Sequence, residues 1–438
     1  MSLGTANSTS KQSMTRIKRL AKEGSWIVIG QIAAVAGALV LVRVITEHLD
    51  PAQYGKLALG LTVAGLVNAV VMGGVTNGIS RFYSIAAEKQ DLVGYLRASR
   101  NLLAYATAAA VAIGLILMVN LYWLGYSQWI GLAAAALVFS VLSGYNSTLS
   151  AIQNAARQRA IVASHDGLDA WLKIGLAVSV VLWLGASSTA VVIGYACSSL
   201  LVTFSQLVFL RRTIPAQKQQ PTTDHQWKGQ IWAYSLPFAT WGIFGWAQQS
   251  SARWALEVFT TTETVGLYSV VSQLGYAPIQ MVTATAMAFL MPILFARTGD
   301  AQSLDRNSNV RDLTKKLVLL GFCLTVLAVL VAAVLHSYIF YFLVNNSYFS
   351  VSYFLPWAVL AGGIFAVAQL YTSRIMALLM TKKIIVASIG SSIIGIAAAI
   401  VGTYYFSLAG AVASMVVHST SYFLWIVITA RSIDKQEL

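Results

Sequence analysis

Apolar runs long enough to cross a bilayer recur from Trp26 almost to the C-terminus, separated mostly by short polar segments. Crossing a hydrocarbon core about 30 Å thick takes roughly 20 apolar helical residues. A soluble helix buries one stripe and keeps the other face polar; a helix that is apolar all round must be covered by lipid or by other helices. The other solution in lipid is a closed barrel, whose strands alternate apolar and polar residues. These runs do not alternate, so an all-α integral membrane protein is expected. Composition agrees: 57% of the residues are hydrophobic and 10% charged, against about 25% charged in a soluble chain.

Twelve spans are expected, at approximately 25–46, 54–80, 98–122, 128–153, 160–184, 187–210, 230–256, 264–296, 313–340, 348–379, 383–405 and 408–430. The N-terminus is basic (Lys11, Arg16, Lys18, Arg19, Lys22), but the run after it is too long for a signal-peptide core and lacks a small-residue exit. An uncleaved first helix is therefore expected. Cys197 and Cys323 fall in separate apolar runs and read as small hydrophobes, not as a disulfide or metal pair.

The net charge of +14 would suit a nucleic-acid partner, but its placement argues otherwise. Cations gather in alternate loops: Arg81 to Arg100, Arg157 and Arg159, Arg211 to Lys228, Arg297 to Lys316, and Lys382 with Lys383. The turns between (Tyr122–Gln128, Gly185–Thr189, His336–Phe349, Tyr404–Leu408) hold no Lys or Arg. That is the positive-inside pattern, and it predicts cytoplasmic termini and cytoplasmic basic loops.

The segment RRTIPAQKQQPTTDHQWK, Arg211–Lys228, has the composition of a linker. It divides the chain into a cytoplasmic tail (1–24), an N-lobe of six helices (25–211), a linker (212–229), a C-lobe of six helices (230–431) and a C-terminal tail (432–438). The halves echo each other. Arg43 precedes Gly55 by twelve residues and Arg253 precedes Gly266 by thirteen, with a polar turn between them each time. Two parallel six-helix repeats place a central cavity and a substrate path between the lobes. Pro237, Pro278, Pro292 and Pro356 lie within spans, where they either mark bends that permit lobe movement or are simply tolerated.

Ionisable side chains inside spans are costly and mark function by default. Arg43 lies about 26 Å along its helix from Trp26; it either faces the cavity or snorkels to headgroups, and Arg253 has the same choice. Lys173 and Asp169, four residues apart, are placed to neutralise each other as a structural pair, or to act as an anion contact and a titratable carboxylate. Arg81 and Arg374 sit near span ends, within snorkelling reach. Trp241, Trp246, Gln248 and Gln249 suit sugar contacts, by ring stacking and amide hydrogen bonds, and equally suit an interfacial belt. No H-E-x-x-H, P-loop or G-x-S-x-G pattern occurs, so neither a metal, a cofactor nor catalysis is expected.

Three motifs carry a family resemblance: Arg43 followed by LDPAQYGKLAL, the stretch GGVTNGISRFYS closing the second span, and SARWALEVFTTTETVGLYSVVS at Ser251–Ser272. Together and in order they resemble the Wzx-like polysaccharide flippases, of the superfamily that includes lipid II flippases and multidrug exporters. The resemblance implies a two-lobed transporter in the bacterial cytoplasmic membrane. It would carry undecaprenyl-diphosphate-linked oligosaccharide to the outer leaflet for O-antigen or exopolysaccharide synthesis, alongside a polymerase and a chain-length regulator. It also implies that Arg43, Arg81, Lys173 and Arg253 contact the diphosphate or an anionic glycan. Family members often carry Asp before the Arg-Trp pair where this chain has Ala252, so any ion-coupling role of that carboxylate would be absent here or moved, with Asp169 the candidate. The rivals are an ion-coupled drug or metabolite exporter of the same fold, which wants an acidic cavity, and a membrane glycan polymerase or ligase, which wants a large outer loop.

Overall fold

The computed structural model describes residues 30–213, 224–299 and 303–436. The expected N-terminal tail, most of the linker and the last two residues of the C-terminal tail lie outside the described residues. Twelve helices run through the described residues: α1 Gly30–His48, α2 Pro51–Glu88, α3 Leu92–Trp123, α4 Ile130–Ala155, α5 Arg159–Leu184, α6 Ser188–Thr213, α7 Asp224–Phe259, α8 Thr262–Thr298, α9 Leu304–Leu343, α10 Leu355–Ala377, α11 381–406 and α12 408–436. Ser407, with φ of 51°, is the break between α11 and α12. Ten stretches among the described residues are long and apolar enough to cross a membrane, with 381–434 as one of them. The protein is therefore a multi-pass membrane protein. α7 is not among the ten, and it is the helix carrying Gln248, Gln249, Arg253 and Glu257.

Sequence chemistry sets the helix starts. Asp50 caps α2 by accepting the Gln53 backbone N–H at 2.7 Å, and Pro51 occupies the first turn, where its missing N–H costs nothing. Thr261 caps α8 through the Thr264 N–H. Both second-position helices widen midway into a π-helical segment, Val67–Met72 in α2 and Ser272–Tyr276 in α8. Such bulges bend a helix and free backbone groups, and they gather at functional sites.

The halves are in contact at both ends. At the cation-poor end, α2 and α8 cross closely at Gly55 and Gly266. There Tyr348, fully buried, donates its hydroxyl to Leu49 O at 2.9 Å and meets the Tyr54 ring edge-on at 5.8 Å. One apolar core runs through this region, with Val42 and Leu59 from the first half and Val265 and Leu355 from the second. At the basic end, the first half of α7 packs on α2 and α3 of the other half. Trp227 is buried there. Its indole N–H donates to Asp91 at 2.6 Å, with Phe82 and Tyr95 edge-on to the ring. Asp91 also accepts the Gly94 N–H, so one carboxylate caps α3 and anchors α7.

Candidate functional site: a cationic cavity between the halves

Between these two seals lies a cavity of about 560 Å³. Tyr54 and Thr62 of α2, Lys173 of α5 and Tyr195 of α6 form one wall. Trp246, Gln248, Gln249 and Arg253 of α7, Gln273 and Gln280 of α8, and His418 of α12 form the other. No acidic residue lines it among the described residues.

Lys173 reaches the cavity with its ammonium 2.5 Å from Asp169 Oδ2 and 5.4 Å from the centre of the Phe139 ring. Asp169 Oδ1 accepts from Ser198 at 3.0 Å. The pair is largely buried, each side chain 22% exposed. Asp169 is absent from the lining, so the cation stands in front and the carboxylate behind. A buried pair of this kind offsets the desolvation of both groups, because the remaining carboxylate oxygen is also satisfied.

Arg253 is held differently. Its Nε donates to Ser269 at 3.3 Å and its Nη1 to Gln249 O at 3.4 Å, and it pairs with no carboxylate among the described residues. Glu257, four residues on, does not take it: Glu257 accepts from Thr262 at 2.9 Å instead. A guanidinium on a cavity wall, with no carboxylate partner among the described residues, has the chemistry to take up an external anion. Trp246 donates to Thr62 O at 2.7 Å and Trp254 to Thr62 Oγ1 at 3.0 Å, so α7 is pinned to α2 at the level of the cavity.

The structure thus brings together Lys173, Arg253, Trp246, Gln248 and Gln249 of the residues singled out in the sequence, with Asp169 directly behind. The side chain of Trp241 lies outside the described residues. Arg43 and Arg81 are not on the cavity wall. Arg43 pairs with Glu47 at 3.1 Å and donates to the carbonyl of Val344 across the interface, so it is tied into the cation-poor seal. Arg81 is exposed on α2. Arg374 does not snorkel: it is 2% exposed and pairs at 2.5 Å with Asp434 of α12. Gln273, Gln280 and His418 were not singled out from the sequence, although Gln273 and Gln280 are spaced seven apart, the signature of one helix face, in an otherwise apolar run.

Two six-helix halves around a central cavity with cations on its wall define a membrane transporter. The chain belongs to the polysaccharide biosynthesis protein family, whose model matches residues 20–298. It is 23% identical over 312 residues to the lipid III flippase of Escherichia coli (strain K12), covering 68% of this chain and 70% of that one. Its fold is that of the lipid II flippase MurJ in its inward closed conformation (TM-score 0.67, 12% identity, 94% of this chain and 87% of that one). An inward-facing multidrug resistance MATE transporter of the MOP superfamily shares it too (TM-score 0.64, 14% identity, 94% of this chain and 96% of that one).

Proposed function

We infer that this protein is a flippase that moves an undecaprenyl-diphosphate-linked oligosaccharide from the inner to the outer leaflet of the bacterial cytoplasmic membrane, for O-antigen or exopolysaccharide assembly. The observation that carries this reading is the cavity with Lys173 and Arg253 on its wall and no acidic lining residue among the described ones. A diphosphate brings about two negative charges and needs cationic partners; Arg253 has no carboxylate partner among the described residues, and Lys173 would have to exchange Asp169 for the incoming anion. The lipid tail stays in the bilayer while the headgroup crosses between the halves. The amides and ring of Gln248, Gln249 and Trp246, together with Trp241, are assigned to the sugar.

Arg43 and Arg81 flank this site in the proposal: Arg43 steadies the cation-poor seal that must open to release substrate, and Arg81 meets anionic headgroups at the basic end. The alternating basic loops support a cytoplasmic basic end and cytoplasmic termini. Outward movement of negative charge is then favoured by an inside-negative potential, by ~2.3 kcal/mol per charge per 100 mV. Asp169 is the carboxylate available for ion coupling, because an anion that takes Lys173 leaves it free to accept a proton. A polymerase and a chain-length regulator would act on the product outside.

An exporter of cationic drugs would want acids on the cavity wall, which speaks against that alternative. The test is deletion of the gene followed by analysis of lipid-linked glycans in each leaflet. Complete oligosaccharide trapped facing the cytoplasm is the expected result. Single repeat units accumulating on the outer face would point to a polymerase and overturn the proposal.

A further inference from the structure

A second cavity, of about 520 Å³, lies apart from the central one, between the basic ends of α8 and α9. Arg297 enters it from the last turn of α8; Arg306, Asn309, Leu313 and Lys316 line it from one face of α9. Their spacing along α9 is the helical one that keeps side chains on a single stripe. None of the three cations pairs with a carboxylate among the described residues. The one acid on the wall, Asp312, lies 3.9 Å from Arg311 and 3.8 Å from Lys315, neither of which lines the groove. Gly299 ends α8 with φ of +64°, and a Cβ there would meet the Arg306 guanidinium at 2.7 Å. The glycine thus makes room for that guanidinium between the two helices.

The surroundings say what kind of anion fits. Next to Arg297, Ile293 and Phe295 of α8 are exposed. Beyond Lys316, Leu319, Leu320 and Phe322 of α9 are exposed, and the apolar window of α9 is only 11% buried, so this helix is one of the most lipid-facing in the molecule. Three cations with no carboxylate partner among the described residues therefore sit where two helices with exposed apolar faces meet at the basic end. A soluble anion would use the charges but would gain nothing from the apolar ridges beside them.

We propose that the groove between α8 and α9 is a binding site for the headgroup of an anionic phospholipid of the surrounding bilayer. The phosphate lies among Arg297, Arg306 and Lys316, and the acyl chains run along the exposed apolar residues of α8 and α9. Basic pockets between helices at a membrane surface bind acidic headgroups in this way.

The test is made on the full-length protein in lipid nanodiscs holding equal phosphatidylglycerol and phosphatidylcholine, with retained lipid counted by native mass spectrometry after extraction. The wild type should keep phosphatidylglycerol in preference to phosphatidylcholine. Arg297→Gln, Arg306→Gln and Lys316→Gln combined should lower that retention by at least about tenfold, since each cation is worth roughly fivefold in affinity. Lys382→Gln with Lys383→Gln, in a different basic loop, should leave it unchanged. Equal retention by the triple variant, or the same loss in the control pair, overturns the assignment. Inorganic pyrophosphate bound by the lipid-free wild type but not by the triple variant, with no preference between the two lipids, would assign the groove to a soluble anion and overturn it as well. Should the triple variant not reach the membrane, Arg306→Gln alone serves the same comparison.

Discussion

Gly55 of α2 and Gly266 of α8 stand in a reciprocal relationship: a Cβ on Gly55 would come within 1.9 Å of Thr262 O, and a Cβ on Gly266 within 1.9 Å of Pro51 O. Each glycine lies four residues after the residue whose carbonyl its partner would strike. The two halves therefore meet here about a local twofold axis, backbone against backbone. The crossing brings two helix backbones together at the cation-poor seal, and it tolerates no side chain on either helix at the contact.

Gly55→Leu and Gly266→Leu should each hold this seal apart. The added carbons have no space without moving the α2 and α8 backbones, so a closed seal is destabilised by the 1–3 kcal/mol or more typical of overpacking. The expected outcome is loss of transport with near-normal protein in the membrane, and raised labelling of a cysteine placed at Tyr54 by a reagent added outside. Unchanged labelling would mean that the crossing does not open and close.

Lys173 and Asp169 make a prediction about charge rather than shape. Lys173→Gln should reduce flipping by roughly ten- to a hundredfold, the worth of a charge-assisted hydrogen bond to phosphate. Lys173→Arg should retain a substantial part of it. Asp169→Asn should be the milder change at the cavity wall, since Asp169 stands behind the cation, and should alter the dependence of transport on the proton gradient. Flipping assayed in proteoliposomes with a fluorescent lipid diphosphate reads all three, and equal losses for Lys173→Gln and Lys173→Arg would count against a charge role.

Arg253 and Arg43 look alike in sequence and differ in structure. Arg253→Gln removes a guanidinium from the cavity wall that has no carboxylate partner among the described residues, and should cost transport by at least about tenfold. Arg43→Gln breaks a half-exposed pair with Glu47, a type of interaction worth ~1 kcal/mol or less, together with one hydrogen bond across the seal. Its effect should fall on the balance between closed and open states, seen as altered cysteine labelling near Tyr54. Substrate affinity should change little. The reverse pattern in binding measurements with the lipid diphosphate would exchange the two roles.

This pair also shows what the sequence makes legible. Helix number, the turn positions and the twofold layout follow from apolar run length and loop charge, because lipid leaves a chain few alternatives. Side-chain direction does not follow. One residue separates the spacing of Arg43 to Gly55 from that of Arg253 to Gly266, about 100° around a helix. That offset is enough to send one guanidinium to the cavity and the other to Val344. Gln273 and Gln280 do not stand out in the sequence, because uncharged amides barely mark an apolar span. The pairing of Arg374 is hidden for the opposite reason: a cation near a span end can snorkel, and its partner, Asp434, is sixty residues away.

That ion pair supports the last prediction. Arg374 of α10 is 2% exposed, and its guanidinium meets Asp434 near the end of α12 at 2.5 Å, beside a core that includes Ile375 and Ile433. Asp434 is less buried, with its side chain 25% exposed. Removing Asp434 takes a carboxylate from a buried guanidinium, so Asp434→Leu should lower stability, by at most the ~3–5 kcal/mol typical of breaking a buried ion pair, and by less to the extent that Arg374's other contacts or water compensate it. Arg374→Met with Asp434→Leu replaces both charges by apolar groups and should recover most of that loss, because neither desolvation penalty remains. Thermal melting of the purified protein in detergent measures this directly. A double variant no more stable than the Asp434→Leu single would show that the pair holds α10 to α12 by its geometry, and that apolar packing cannot replace it.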